Sequence, residues 1–414
     1  MANAPDTAAS SATAQIPHMK RNVSVLALCQ GYAQTCVTVV ISVSALAALL
    51  ILEDKSLATL PHAFMWVATA LAATPASLLM KRYGRRRGFA AGAVFGFAGC
   101  MFCTLGLFYG DFWIFIAGTS CMGAFNAFNQ YLRFAAAETA NDAYRPRAIS
   151  WVIGGGIIAA FVGGTLAGNT STLLVPQFMA TYIILAVFPI LMAITIQFVR
   201  MPEAATPPRQ AAEKPSTGRP LGEIMKQPAF VVAAIGTSVA WAGMILMMAA
   251  TPLSMKLCGL ETDVPFVIQW HMFAMFAPSF FAGQLISRFG NLNVVMMGFA
   301  LFFGGIAAGL SGIALTNFFL TNILIGAGWN LMLIGSTSLL VTCHTDAEKG
   351  KVQGANDTIA YILAAISSFF AGYLQIEVGW NAVMIAIVPQ VLVVGLAVWW
   401  MRSVRNRAVS AAAE

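Results

Sequence analysis

Long apolar runs separated by short polar gaps fill the chain from residue 23 to residue 401. Each run reaches the roughly 20 residues that a helix needs to cross the hydrocarbon core of a bilayer. The runs lack the in-and-out alternation of a membrane barrel, and backbone in lipid must satisfy its own hydrogen bonds, so helices are predicted. Twelve membrane-spanning helices, numbered span 1 to span 12, are predicted at 23–51, 57–80, 88–109, 112–137, 148–170, 177–200, 229–256, 264–287, 293–314, 316–341, 353–375 and 379–401.

Composition and charge agree with a membrane protein. Of the 414 residues, 59% are hydrophobic and 9% are charged, whereas soluble proteins carry about 25% charged residues. The net charge of +7 does not indicate nucleic-acid binding, because the basic residues lie in gaps between apolar runs and not along a polar face. Twelve spans place 20 of the 23 Lys and Arg on the side of both termini, called the basic side below. The positive-inside rule predicts that this side is cytoplasmic.

The chain divides into two similar halves. Residues 201–226 are rich in Pro and charge and predict a flexible linker between two groups of six spans. Short matches recur at offsets of 204 to 206 residues, among them GAFN (123–126) with AGWN (327–330). The predicted organisation is a disordered cytoplasmic tail, a six-helix bundle, the linker, a second six-helix bundle and a cytoplasmic tail, at 1–19, 20–200, 201–226, 227–402 and 403–414.

The gap after span 2, MKRYGRRRG, resembles the signature loop of the major facilitator superfamily. Four residues match that signature: Arg82, Gly84, Arg85 and Arg86. Lys81 stands at the acidic position, which questions the charge relay usually ascribed to that acid. A second copy follows span 8, where Gly283, Arg288 and Gly290 match and Ser287 replaces the acid. The resemblance covers nearly the whole chain and implies an all-α membrane protein of twelve helices in two pseudo-symmetric six-helix bundles.

A shorter stretch, NQYLRFAAAETA (129–140), resembles the bacterial subgroup that includes riboflavin permeases. The predicted function is therefore a secondary transporter of the inner membrane that moves a small, planar, polar metabolite by alternating access, with riboflavin uptake as the named hypothesis. An exporter of drugs or metabolites and a sensor or scaffold that does not transport are the alternatives. No enzyme, cofactor, metal site or nucleic-acid partner is predicted, and the carrier is expected to be a monomer in the lipid bilayer.

Spans 1, 4, 7 and 10 line the central cavity in that superfamily. Amides and phenols exchange hydrogen bonds without net charge and Trp offers a flat face, as a planar polar substrate requires. We expect Asn126 and Asn330, which are repeat mates, to face each other across the pseudo-twofold axis. The predicted substrate-binding residues are Gln30, Tyr32, Gln34, Asn126, Asn129, Gln130, Trp241, Trp329 and Asn330. The alternative for each is a polar contact that only holds helices together.

Gating and coupling are predicted from charged and titratable residues. Glu138 can pair with Arg85 or Arg86 at the inner gate, or be exposed decoration. Arg133 lies near the inner end of span 4, where it either contributes to the gate or extends toward the interface. Intramembrane titratable groups are candidates for carrying a proton, and the candidates here are His62, His271 and Asp357. A hydrogen-bonded structural role is the alternative for both histidines, and the coupling ion stays open.

Overall fold

The computed structural model describes residues 18–52, 60–141, 143–200 and 218–413. These residues fold into helices joined by short turns, and none of them forms a strand. Most of the predicted tail at 1–19 and residues 201–217 of the predicted linker lie outside the described residues. The C-terminal tail continues the last helix, because the helix that begins at Trp380 extends to Ala413.

Each predicted span corresponds to one helix or to two or three consecutive helices. The bounds in order from span 1 to span 12 are Met19–Ile51; Leu60–Tyr83; Arg85–Tyr109; Phe112–Asn129 with Leu132–Glu138; Arg145–Gly154 with Ile157–Thr170; Met179–Leu185 with Val187–Thr195 and Ile196–Phe198; Pro228–Leu257; Val264–Phe276 with Ser279–Phe289; Asn291–Leu310; Leu315–Val341; Lys349–Tyr373 with Leu374–Val378; and Trp380–Ala413. A short helix, Leu221–Met225, precedes span 7.

Ten helical stretches of the described chain are long and apolar enough to cross a membrane, and the interrupted spans 4 and 8 complete the twelve. Span 8 is interrupted at Ala277 and Pro278, where the proline lacks the N–H that an uninterrupted helix would use. Span 4 is interrupted at Gln130 and Tyr131, directly before Arg133. Both interruptions therefore lie within predicted spans.

The signature glycines mark equivalent turns in the two halves. Gly84 separates spans 2 and 3 with φ of 89°, and Gly290 separates spans 8 and 9 with φ of 81°. Residues with a side chain rarely adopt this backbone conformation, so glycine is favoured at both turns. The repeated turn supports the two-half organisation that the sequence matches suggested.

Packing within each half follows the same scheme. Span 4 packs against spans 2 and 3, and span 10 packs against spans 8 and 9. Span 1 packs against span 5, as span 7 packs against span 11. The halves meet along two seams: span 2 against span 11, and span 5 against span 8. Large apolar side chains such as Leu71 and Trp399 are exposed on the outside of the protein, with exposed fractions of 73% and 68%.

Candidate functional site

A small central cavity lies where the two halves meet. Its volume is about 10 Å³, room for about one water molecule. Spans 1, 4, 5, 7, 8 and 10 contribute its lining residues, which are Gln30, Gln34, Gln130, Arg133, Ile153, Trp241, Phe276, Trp329 and Leu333. Five of these, Gln30, Gln34, Gln130, Trp241 and Trp329, are among the nine predicted substrate-binding residues.

Aromatic rings from both halves form one cluster beside the cavity. The Trp241 ring centroid lies 5.3 Å from that of Trp66, 5.1 Å from that of Trp329 and 5.7 Å from that of Tyr361. Phe276 extends the cluster, with its centroid 5.9 Å from that of Trp329. Trp66 belongs to the N-terminal half and the other rings to the C-terminal half. The cluster therefore offers flat apolar faces to a planar molecule between the halves.

Several polar atoms at this centre have no protein partner within the described chain. They are the indole Nε1 of Trp241 and Trp329, the Nε and Nη1 of Arg133, and the hydroxyl of Tyr361. Buried polar groups are nearly always hydrogen-bonded in folded proteins. These donors are consequently available to a polar ligand or to water.

Arg133 and Asp357 form a buried ion pair between the halves. Nη2 of Arg133 donates to Oδ1 of Asp357 at 2.6 Å, and the two side chains are 3% and 0% exposed. Of the two interpretations offered for Arg133, extension toward the interface is therefore wrong. Asp357 lies eight residues inside the span 11 helix that begins at Lys349, about 12 Å along its axis. The predicted start of span 11 at residue 353 places it only four residues from the helix end. It is a buried carboxylate, held by a partner from the other half.

The amides of Asn126 and Asn330, which we expected to face each other, are each bonded within their own half, and neither residue lines the cavity. Nδ2 of Asn330 donates to the carbonyl of Met275 at 2.6 Å and to Oγ of Ser279 at 2.5 Å. Nδ2 of Asn126 lies 3.5 Å from Oγ1 of Thr69. Both amides therefore tie the fourth span of a half to its second span, the role that the alternative interpretation gave them.

Two other predicted substrate-binding residues also lie outside the cavity lining. Tyr32 packs against Phe188 of span 6, with ring centroids 6.2 Å apart. Asn129 is buried, and neither polar atom of its amide has a partner in the described chain. Of the polar residues at positions 126, 129, 130 and 133 of span 4, Gln130 and Arg133 are the two that line the cavity.

A cluster of charged residues joins the two halves on the basic side. Arg85 donates to Glu138 through Nη2 at 2.6 Å and Nε at 3.2 Å, and its Nη2 also donates to Oε1 of Gln353 at 2.9 Å. Lys349 reaches Glu138 at 3.3 Å from the other half. Of the two predicted partners of Glu138, the structure brings Arg85 to it, whereas Arg86 donates to Oε1 of Gln197.

Further hydrogen bonds join span 2 to the start of span 11. Oγ of Ser77 donates to the carbonyl of Gly350 at 2.8 Å, and Nζ of Lys81 donates to the carbonyl of Ala347 at 2.7 Å. Thr74 and Thr358 share a hydrogen bond of 2.9 Å. Lys81, which replaces the acid of the signature, thus binds a carbonyl group of the opposite half.

Two further arginines of the signature loops lie over neighbouring aromatic rings. The guanidinium of Arg82 lies 5.3 Å from the ring centroid of Tyr83, and that of Arg288 lies 5.2 Å from the ring centroid of Phe289. Each arginine therefore covers the aromatic residue that follows it in sequence.

The two histidines within spans are both held by hydrogen bonds. Nε2 of His62 accepts from Nε1 of Trp66 at 2.9 Å. Nδ1 of His271 lies 2.7 Å from the carbonyl oxygen of Asn322, so Nδ1 carries the proton and donates it. His62 adjoins the aromatic cluster through Trp66, whereas His271 joins span 8 to span 10. Their proposed part in proton coupling stays a prediction, as does that of Asp357.

Arg219 and Glu348 connect the end of the linker to the loop before span 11. Oε1 of Glu348 accepts from the backbone N–H and Nε of Arg219, both at 2.8 Å. Oε2 accepts from Nη2 of Arg219 at 2.8 Å and from the backbone N–H of Thr345 at 2.9 Å. These donors, first the Arg219 guanidinium, hold the pKa of Glu348 well below its usual range.

Sequence reasoning missed Trp66, Phe276 and Tyr361, which complete the aromatic cluster. All three lie outside spans 1, 4, 7 and 10, to which the superfamily resemblance directed attention. Trp66 is the one tryptophan of span 2, a signal that was present in the sequence. Phe276 carries no polar group that would distinguish it from the many phenylalanines of the other spans.

Twelve helices in two pseudo-symmetric halves, with a polar and aromatic centre between them, define the class of protein. A family profile described as Major Facilitator Superfamily matches residues 23–276. The chain belongs to this superfamily and is a multi-pass membrane transporter of a small molecule, not an enzyme.

Individual relatives support this assignment. The riboflavin transporter RfnT of Brucella anthropi is 36% identical over 377 residues, which cover 91% of this chain and 94% of that protein. Among solved structures, the human organic anion transporter MFSD10 superimposes with a TM-score of 0.73 at 13% identity, covering 93% of this chain and 100% of that one. The fucose:proton symporter FucP of E. coli gives 0.69 at 12% identity, covering 93% and 98%. The structural likenesses show the fold alone.

Proposed function

We propose that this chain takes up riboflavin across the inner membrane by alternating access, with the basic side and both termini in the cytoplasm. The observation that carries the proposal is the aromatic cluster of Trp66, Trp241, Trp329 and Tyr361 beside glutamine side chains at the meeting point of the halves. The 36% identity to a riboflavin transporter supports this substrate.

The chemistry of the centre suits an isoalloxazine ring. Indole and phenol rings stack on a planar heterocycle, while amides exchange hydrogen bonds with its carbonyl and ring nitrogen atoms. Gln30, Gln34 and Gln130 supply such amides from the N-terminal half, and the Trp241 and Trp329 indoles supply donors from the C-terminal half. Because the cavity is small, the halves must separate at the centre to admit the ring.

The charged cluster on the basic side acts in this scheme as the inner gate. Its bonds run from Arg85, Glu138 and Ser77 of the N-terminal half to Lys349, Gly350 and Gln353 of the C-terminal half. Release into the cytoplasm requires these contacts and the Arg133–Asp357 pair to break. One chain supplies both sides of the cavity and of the gate, so a monomer suffices.

Uptake of labelled riboflavin by a bacterial strain that requires the vitamin and lacks its own carrier tests the proposal. Cells that produce this chain should accumulate riboflavin faster than cells with an empty vector. Trp241→Leu should abolish the gain, because it removes the central ring of the cluster. Trp399→Leu is the matched control, since Trp399 is 68% exposed on the outer surface. No gain in uptake from a chain that reaches the membrane would refute riboflavin import.

A further inference from the structure

A second cavity, of about 450 Å³, opens at the basic-side ends of spans 1, 3 and 6. It shares no lining residue with the central cavity. Three arginines from three separate parts of the N-terminal half converge on it. The full set of lining residues is Arg21, Arg86, Gln197, Phe198, Val199 and Arg200.

Hydrogen bonds to neighbouring residues hold these arginines in place and use only some of their N–H donors. Nη2 of Arg21 donates to the carbonyl of Phe198 at 2.7 Å, and Nε of Arg86 donates to Oε1 of Gln197 at 2.6 Å. The backbone of Arg200 is held at both ends by Asn22, which donates to its carbonyl at 2.7 Å and accepts from its N–H at 3.0 Å. A guanidinium carries five N–H donors, so each arginine keeps several for a ligand.

The cavity carries positive charge. Its described lining holds three arginines and neither Asp nor Glu. Arginine matches the oxygens of a phosphate with its planar fork and is less strongly hydrated than lysine. Phe198, which is 60% exposed, adds an apolar flank at the level where the spans leave the membrane. A ligand that joins a phosphate to an apolar tail satisfies both features.

Orientation of the protein in the membrane does not explain this arrangement. The positive-inside rule counts charges in a loop and is indifferent to where their side chains meet. Here Arg21 and Arg200, which are 179 positions apart in the sequence, are brought to one cavity with Arg86. Basic pockets between spans on the cytoplasmic side are typical sites for anionic lipid head groups.

We propose that Arg21, Arg86 and Arg200 form a binding site for the phosphate of an anionic phospholipid in the leaflet on the basic side. The bound lipid links the ends of spans 1, 3 and 6 and so stabilises the N-terminal half. A free phosphate ion offers the same oxygens, but it leaves the apolar flank of Phe198 unused.

Native mass spectrometry of the purified full chain in a neutral detergent measures this binding. Titration with phosphatidylglycerol should give a clearly lower dissociation constant than titration with the zwitterionic phosphatidylcholine. Arg86→Gln and Arg200→Gln should each weaken phosphatidylglycerol binding about fivefold, and the triple glutamine variant on the order of 100-fold. Arg405→Gln is the matched control, because Arg405 is an exposed arginine on the span 12 helix, outside the cavity.

Two further arms keep the result unambiguous. Arg86→Lys preserves charge and folding but loses the fork, so it should bind more weakly than the native chain and more tightly than Arg86→Gln. Equal phosphatidylglycerol affinity for the native, triple-glutamine and Arg405→Gln chains would overturn the site. Displacement of the lipid by millimolar inorganic phosphate, with the same dependence on the three arginines, would overturn the lipid assignment in favour of a soluble phosphate.

Discussion

Replacing Asp357 with asparagine should destabilise the protein by about 3 kcal/mol, and Asp357→Leu by about 5 kcal/mol. Both variants leave the Arg133 guanidinium, whose side chain is 3% exposed, without a counter-charge. Asparagine keeps an oxygen that can accept the hydrogen bond from Arg133, whereas leucine has no acceptor. The loss of stability should therefore be smaller for Asp357→Asn than for Asp357→Leu. The ring of Phe134, 4.8 Å from the guanidinium carbon, compensates for only about 1 kcal/mol.

The free energy of unfolding of the purified protein in detergent micelles, measured by denaturant titration, checks this expectation. Asp346→Asn is the matched control, because Asp346 is an exposed carboxylate in the loop before span 11 and should change the free energy by less than about 0.5 kcal/mol. A loss below about 1 kcal/mol for Asp357→Asn would mean that Arg133 is solvated or paired elsewhere, and the reasoning would fail.

Replacing both partners separates stability from transport. The double variant Arg133→Leu with Asp357→Leu should have a free energy of unfolding within about 1–2 kcal/mol of that of the native chain, because well-packed apolar residues often replace a buried ion pair at little cost. Riboflavin uptake should nevertheless be lost, since the guanidinium that lines the cavity is gone. Native uptake by the double variant would show that the pair has only a structural role.

Three further outcomes follow from the contacts described above. Asn330→Leu should lower the free energy of unfolding by about 1–3 kcal/mol while leaving the KM for uptake unchanged, because its amide bonds Met275 and Ser279 outside the cavity lining; a raised KM would return it to the binding site. Because folding lowers the pKa of Glu348, its stabilising contribution is full above about pH 5 and is lost as the pH falls toward the folded-state pKa. The unfolding temperature should therefore fall less on acidification in Glu348→Gln than in the native chain, and equal falls would contradict the linkage. In a chain whose other cysteines are replaced by serine, Arg219→Ala should accelerate thiol labelling of the buried Cys343, because the backbone carbonyl of Cys343 accepts a hydrogen bond from Arg219. An unchanged labelling rate would show that this hydrogen bond does not restrict access to Cys343.

The sequence was sufficient for the twelve spans and the two halves because both depend on long, repeated patterns. Hydrophobic length determines where a helix crosses the bilayer, and the paired glycines at 84 and 290 mark the same turn in each half. Boundaries shifted by only a few residues at most ends. The largest difference is at span 12, where the helix continues to Ala413, because hydrophobic length marks the part that can cross a bilayer and not the end of the helix.

The centre of the molecule was only partly predictable, because side-chain partners depend on distances between spans. Glutamines of spans 1 and 4 reached the cavity as expected, whereas Asn126 and Asn330 turned to neighbouring helices in their own halves. Nothing in the sequence states which face of span 11 meets span 4. The pairing of Arg133 with Asp357, separated by 224 positions, could therefore be seen only in three dimensions.

The two seams between the halves differ in chemistry, and the difference indicates how the carrier opens. The hydrogen bonds and ion pairs described above that cross between the halves run from spans 2, 3 and 4 to span 11 and the loop before it, and they include those of Arg85, Arg133 and Ser77. Spans 5 and 8 meet through aromatic contacts, such as Trp151 with Phe280 at 5.2 Å. Apolar rings can slide past one another at little cost in free energy, whereas each broken hydrogen bond costs about 0.5–1.5 kcal/mol. Opening of the basic side should therefore pivot on the seam of spans 5 and 8 while the polar seam separates, and a substrate can drive it only by binding the open state more tightly.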